Sequence, residues 1–165
     1  MLAAWLHESL RWPMKVPGRH GLEWLALLVA ARALSTRPAA AMTVALGAAL
    51  ATVIGGHASL DAQLRPVIYL LQGAAIDGLW RAAHGRLGDG SGWLLPWAMV
   101  AGATAHALSP LAKTLVVAAG ADGAHFGSLA RGLGYPLGTH LVFGAAGAAA
   151  GAIAALAWHR RRRRR

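Results

Sequence analysis

Two stretches of this chain contain no charged side chain: Ala39 to Gly56 and Leu141 to Trp158. Each approaches the ~20 apolar residues that carry an α-helix across the hydrocarbon layer of a bilayer. A helix on the surface of a water-soluble bundle needs a polar face, and neither stretch has one. Composition extends the point to the whole chain. Hydrophobic residues make up 56% of the 165 and charged residues 13%, about half the charged share of an ordinary soluble domain. One soluble core in so short a chain would leave much of that apolar surface in water. The expected solvent is lipid. The expected fold is all-α, a polytopic membrane bundle of about six transmembrane helices with a short interfacial helix at the N-terminus.

The formal net charge is +10, and Arg160 to Arg165 supply six of those charges. The run follows an apolar span directly. It therefore reads as a topological anchor on the cytoplasmic side, within reach of anionic lipid, and no nucleic-acid partner is expected. The chain has no cysteine, which excludes thiolate metal sites, disulfides and thiol catalysis. Its Ala, Gly and Arg bias, with two lysines, is that of a GC-rich bacterial genome.

The first residues do not read as a signal peptide, because no basic residue precedes Leu2 to Leu6 and Glu8 interrupts the apolar run. Leu2, Trp5, Leu6 and Leu10 recur at helical spacing among His7, Glu8 and Arg11, the pattern of a helix lying in the membrane interface. Lys15, Arg19 and His20 mark a cytoplasmic flank. Three parts follow: an interfacial and cytoplasmic segment over 1–19, a six-helix membrane domain over 20–158 and a basic cytoplasmic tail over 159–165.

Breaks in the pattern delimit the spans. Span one runs from Leu22 to Leu34 and carries Glu23 and Arg32, which can snorkel to opposite interfaces. Span two is Ala39 to Gly56. A loop from His57 to Arg65 leads to span three, which Pro66 opens at its first turn and which reaches Trp80. The glycine-rich segment Ala82 to Gly92 is a loop. Span four covers Trp93 to Leu108, and Ser109-Pro110 turns the chain into span five, Leu111 to Ala119. Span six runs from Pro136 to Trp158. An even number of crossings places both basic termini in the cytoplasm, at a bacterial inner membrane. Trp24, Trp80, Trp93 and Trp158 fall at span ends, where an aromatic belt lies.

No phosphate loop, HExxH or GxSxG motif appears, and no carboxylate pair stands at helical spacing. An enzyme is not expected, nor is a metal or other cofactor. Ionisable groups inside spans usually mark function. Asp77 and Arg81, four apart on one helix face, either pair with each other or contribute to a ligand site. Asp122 and His125 lie among glycines and form the best candidate for a polar pocket, with a plain solvated loop as the alternative. His57, His106 and His140 are expected as hydrogen-bonded packing residues. His106 ends span four and His140 begins span six, toward opposite interfaces, so a bis-histidine haem is not expected. Lys113 reads as a cytoplasmic anchor.

Three segments resemble the substrate-binding S component of energy-coupling factor (ECF) transporters, small membrane proteins without an ATPase of their own. Ala26-Leu27-Leu28-Val29-Ala30 is similar to the AxxxA element of that family's first helix. Pro66 to Trp80, PVIYLLQGAAIDGLW, looks like its third span, and Leu141 to Gly151, LVFGAAGAAAG, like its glycine-rich last helix. The resemblance implies capture of a small, vitamin-like solute in a cavity of the bundle. Candidate groups are Asp77, Trp80, Arg81, Asp122, His125 and His140. Ala26 and Ala30 would dock on a transmembrane coupling subunit, and partner ATPase subunits would drive transport. Two departures stand out. Only Ser35 to Pro38 follow the first span, where the family has a long gating loop. Leu2 occupies the position of the metal-binding histidine, which argues against a nickel or cobalt member. A membrane scaffold or assembly subunit without ligand is the second class consistent with these residues.

Overall fold

A computed structural model of the chain describes residues 16–56, 59–83, 92–129 and 132–165. The expected interfacial helix, His57 and the side chain of His125 lie outside the described residues. Among the described residues five α-helices form: α1 (Gly21–Leu34), α2 (Ala40–Gly55), α3 (Leu60–Ala82), α4 (Leu94–Ala118) and α5 (Gly134–Arg163). Two 3-10 turns, Gly123–His125 and Gly127–Leu129, join α4 to α5. The fold is all-α, and no strand occurs among the described residues.

Two prolines expected as boundaries are internal to helices, and one of them, Pro110, lowers the helix count from six. Pro110 lies inside α4, so the expected spans four and five are one helix. Proline removes the N–H that the His106 carbonyl would accept. Such a loss is tolerated where neighbouring helices and hydroxyls surround the backbone. Pro110 is fully buried, and Thr114 Oγ1 donates to its carbonyl at 2.8 Å. Pro66 is likewise internal to α3. That helix starts earlier because Ser59 caps it, its Oγ accepting the Ala62 N–H at 3.3 Å. Asp61 in the first turn complements the helix dipole. At the other terminus α5 continues through Arg163, so most of the expected tail is helical.

Pairwise contacts set the topology. Asp77 of α3 reaches the start of α2, and a Cβ on Gly73 would meet Ala45, so α2 and α3 are antiparallel. Gly102 of α4 faces Gly144 and Ala148 of α5, also antiparallel. Helix α1 runs parallel to α5, with Gly21 against Gly147, Ala26 against Gly151 and Ala33 against His159. It also runs parallel to α3, touching Tyr69 and Gln72 early and Asp77 late. Helices α1, α3 and α5 therefore point one way, α2 and α4 the other. Gly18 and His140 sit at one end of the bundle, the histidine end, and Arg160 to Arg165 at the other, the arginine end. The odd helix number separates residue 16 from residue 165, whereas six spans would have brought them together.

The interior is made of small residues. Ala41, Ala45, Ala98, Ala101, Ala105, Ala148 and Ala152 are fully buried, around Leu25, Leu28, Val29 and Ile76. Large aliphatics point outward: Leu50, Val53, Ile54, Val67, Val100, Leu115, Val142 and Ile153 are each more than half exposed. Helix α5 buries Gly144, Gly147, Ala148, Gly151, Ala152 and Ala155 along one stripe, which brings backbones close. Helices α4 and α5 are long and apolar enough to cross a membrane, and α2 is apolar but shorter. At 1.5 Å per residue they extend about 37 and 45 Å, beyond the ~30 Å hydrocarbon layer.

Candidate functional site

At the histidine end a chain of hydrogen bonds threads the interior. Trp24 Nε1 donates to Gln72 Oε1 at 2.7 Å. The Gln72 amide nitrogen faces His106 Nδ1 at 3.2 Å, and His106 Nε2 lies 2.8 Å from the Gly18 carbonyl. A carbonyl only accepts, so Nε2 carries the proton. Nδ1 is then the acceptor for Gln72, whose amide orientation also presents its oxygen to Trp24. One neutral tautomer satisfies every group. Gln72 and His106 are buried, and the three side chains come from α1, α3 and α4.

His140 completes this end. Its Nδ1 donates to the Pro136 carbonyl at 2.7 Å. Its ring lies 4.5 Å from that of His106, tilted by 34°. The two histidines therefore meet, where the expected turn at Ser109-Pro110 would have kept them at opposite interfaces. Continuous α4, antiparallel to α5, carries His106 to the level of His140. The rings pack on each other and both His106 nitrogens are engaged, so the pair does not offer facing nitrogens to a haem iron. Gly18 closes the end with φ +82°, in space where a Cβ would approach His140 Nδ1 to 2.9 Å. Nearby, Asp61 pairs with Lys113 at 2.6 Å and with Arg65 at 3.5 Å. Lys113 thus joins α4 to α3 as an ion-pair partner.

A second cluster occupies the arginine end. Ala39, the N-cap of α2, has no side chain that can cap. Asp77 supplies the cap from α3, accepting the Ala41 N–H at 3.2 Å and the Met42 N–H at 2.8 Å. Arg32 Nε approaches Asp77 Oδ1 to 3.4 Å. The contact is an ion pair by distance, yet it is misaligned as a hydrogen bond, and Nε has no hydrogen-bond partner among the described residues. Arg32 Nη1 donates to Ser35 O at 3.1 Å, and the guanidinium lies 5.8 Å over the buried Trp80 ring. The expected Asp77–Arg81 pair does not form: Arg81 is exposed, while α1 and α2 occupy the Asp77 carboxylate. Arg32 accordingly turns inward and does not snorkel outward.

The expected pocket residues do not converge. Asp77, Trp80 and Arg81 belong to the arginine end and His140 to the histidine end. His140 and His159, which touches α1 beside Arg32, are about 28 Å apart along α5. Asp122 is exposed and caps the first 3-10 turn, accepting the Ala124 N–H at 2.9 Å. Ala26 lies against Gly151 of α5, so its backbone is engaged within the chain, and Ala30 is half-buried. Sequence reasoning missed Gln72, Trp24 and Gly18. The available signal was a lone amide inside an apolar span, which must find partners when buried. Among the described residues no three His, Asp or Glu side chains converge as metal ligands. The chain matches no protein-family model, no curated protein and no solved structure.

Gln72 is the link whose loss orphans two groups. Gln72→Leu leaves the Trp24 N–H and His106 Nδ1 unpaired, at a cost of about 1–3 kcal/mol each. The expected result is a thermal unfolding midpoint several degrees lower in detergent, read by tryptophan fluorescence. A midpoint equal to wild type would remove the network from the fold's determinants.

Proposed function

We propose that this chain is an integral membrane protein that captures a small, vitamin-sized solute and serves as the substrate-binding component of a transporter. Separate coupling and ATPase subunits would drive the transport step. Membrane embedding is supported by an alanine-rich interior together with the many large Leu, Val and Ile side chains left exposed on the surface. Charge supports an orientation. Arg32, Arg37, Arg81 and Arg160 to Arg165 share one end, where Asp77 is the one acidic side chain among the described residues. At the other end, among the described residues, Glu23, Asp61 and Asp122 offset Arg19, Arg65 and Lys113. The positive-inside rule makes the arginine end cytoplasmic, which turns the histidine end outward.

The capture reading rests on the polar interior of that outward half: Trp24, Gln72, His106 and His140 beneath the Gly18 turn. Buried polar groups in an apolar bundle are costly and mark function by default. His140 Nε2, left as an acceptor by the bond to Pro136, is the group we assign to the solute. The test is mass spectrometry of small molecules carried by detergent-purified protein. Wild type is expected to retain a vitamin-sized molecule. His140→Phe, which keeps the ring packing, is expected to lose it with little change in unfolding midpoint. Retention by His140→Phe would move the site elsewhere, with Asp122 and His125 next to be substituted.

One observation favours a membrane scaffold instead. Trp24, Gln72 and His106, with the Gly18 carbonyl, satisfy one another, so this network is complete without a ligand. Co-purification of a stoichiometric protein partner with no small molecule would replace capture by that reading.

A further inference from the structure

We propose that the cytoplasmic end of α5 carries a binding groove for an anionic phospholipid headgroup. The inference rests on the membrane embedding proposed above but not on transport. Ile153, Leu156, Ala157, Arg160, Arg161 and Arg164 line a groove of about 410 Å³ on α5. Their spacing places them along one side of the helix, three apolar residues below three arginines. That order matches an amphiphile standing in the inner leaflet: an acyl chain along Ile153, and a phosphate among guanidinium groups whose planar forks suit its oxygens. Ile153 is 56% exposed, so no other described helix covers the floor.

Two facts favour a headgroup over an internal ion pair. Asp77, the acidic side chain described at this end, is already held by Arg32 and two α2 N–H groups. The arginines are also sorted by face. Arg162 turns away to stack on Trp158 at 5.3 Å, while Arg160, Arg161 and Arg164 rim the groove. The apolar floor distinguishes this surface from a basic tail that only seeks negative charge, and commits it to lipid rather than to an acidic protein or nucleic acid.

The experiment compares two triple variants that remove the same charge. Arg160→Gln/Arg161→Gln/Arg164→Gln strips the groove; Arg162→Gln/Arg163→Gln/Arg165→Gln removes the three tail arginines that do not line it. Retention of phosphatidylglycerol against phosphatidylcholine is read by native mass spectrometry, and thermal unfolding verifies folding of both. The groove triple is expected to lose phosphatidylglycerol affinity about tenfold or more, given the usual contribution of each arginine near an anionic surface. The control triple should lose severalfold less. Equal losses would overturn the groove in favour of diffuse charge, and a wild type that does not prefer phosphatidylglycerol would overturn it outright. Tighter binding of a soluble oligonucleotide or polyglutamate than of phosphatidylglycerol vesicles would also reject it. Should the groove triple fail to fold, Arg160→Gln alone carries the same comparison against Arg165→Gln. Fractionation separates the two readings. Protein that pellets with membranes yet ignores phosphatidylglycerol sinks only the groove, whereas protein soluble without detergent sinks the embedding as well.

Discussion

Asp77→Ala is expected to destabilise the bundle by about 3–5 kcal/mol, the usual consequence of removing one partner of a buried ion pair. Two losses combine. The first turn of α2 loses the acceptor for its Ala41 and Met42 N–H groups, and Ala39 cannot substitute, since a cap needs a side-chain oxygen. Arg32, with its side chain 11% exposed, keeps its charge among apolar neighbours without a counter-ion. Asp77→Asn retains one acceptor and should lose less. Adding Arg32→Met to Asp77→Ala removes the orphaned cation and should recover part of the loss. Thermal unfolding in mild detergent reads all three. Arg81→Ala is the contrast: Arg81 is exposed, and surface changes usually stay within about 0.5 kcal/mol. If Arg81→Ala cost as much as Asp77→Ala, the carboxylate would have its partner on its own helix after all.

The second large effect concerns two glycines of one helix, with opposite signs. A Cβ on Gly147 would land on the Gly21 carbonyl and the Leu22 backbone. Gly147→Ala forces α1 away from α5, an overpacking cost of about 1–3 kcal/mol, and Gly147→Leu should separate the pair further. Gly138 lies in the same helix with no described residue within 4 Å of its Cβ position. Gly138→Ala should therefore stabilise by about 0.5–1 kcal/mol through helix propensity alone. Unfolding midpoints displaced in opposite directions would support the close α1–α5 approach; two shifts of the same sign would contradict it.

Much of the secondary structure is legible from short-range chemistry. Uncharged runs mark α2 and α5, the apolar stretch from Leu22 to Leu34 marks α1, and the small residues of LVFGAAGAAAG mark a face where backbones touch. These features depend on neighbours within a turn or two, which a sequence displays directly. The prolines show where that reach ends. Pro110 carries a local penalty of about 3 kcal/mol in a helix interior, and whether it breaks the chain depends on the packing around it. Buried, with Thr114 bonded to its carbonyl, it stays inside α4. That one outcome leaves five described helices in place of six, sets the two ends of the described chain apart, and brings His106 against His140.

The polar partners follow the same division. Spacing alone offers Asp77 one neighbour, Arg81, four residues along. The fold offers it Arg32 and the bare start of α2, which reach the carboxylate from other helices. Gln72 is equally opaque in sequence, because its partners Trp24 and His106 lie 48 and 34 residues away. Sequence by itself determined that these residues become helices, that their apolar faces seek cover, and that the arginines gather after the last apolar run. Tertiary structure decided which helices stay whole and which buried polar groups meet. Helix periodicity acts over a few ångströms along the chain, whereas a cap, an ion pair or a ring contact needs only proximity in space.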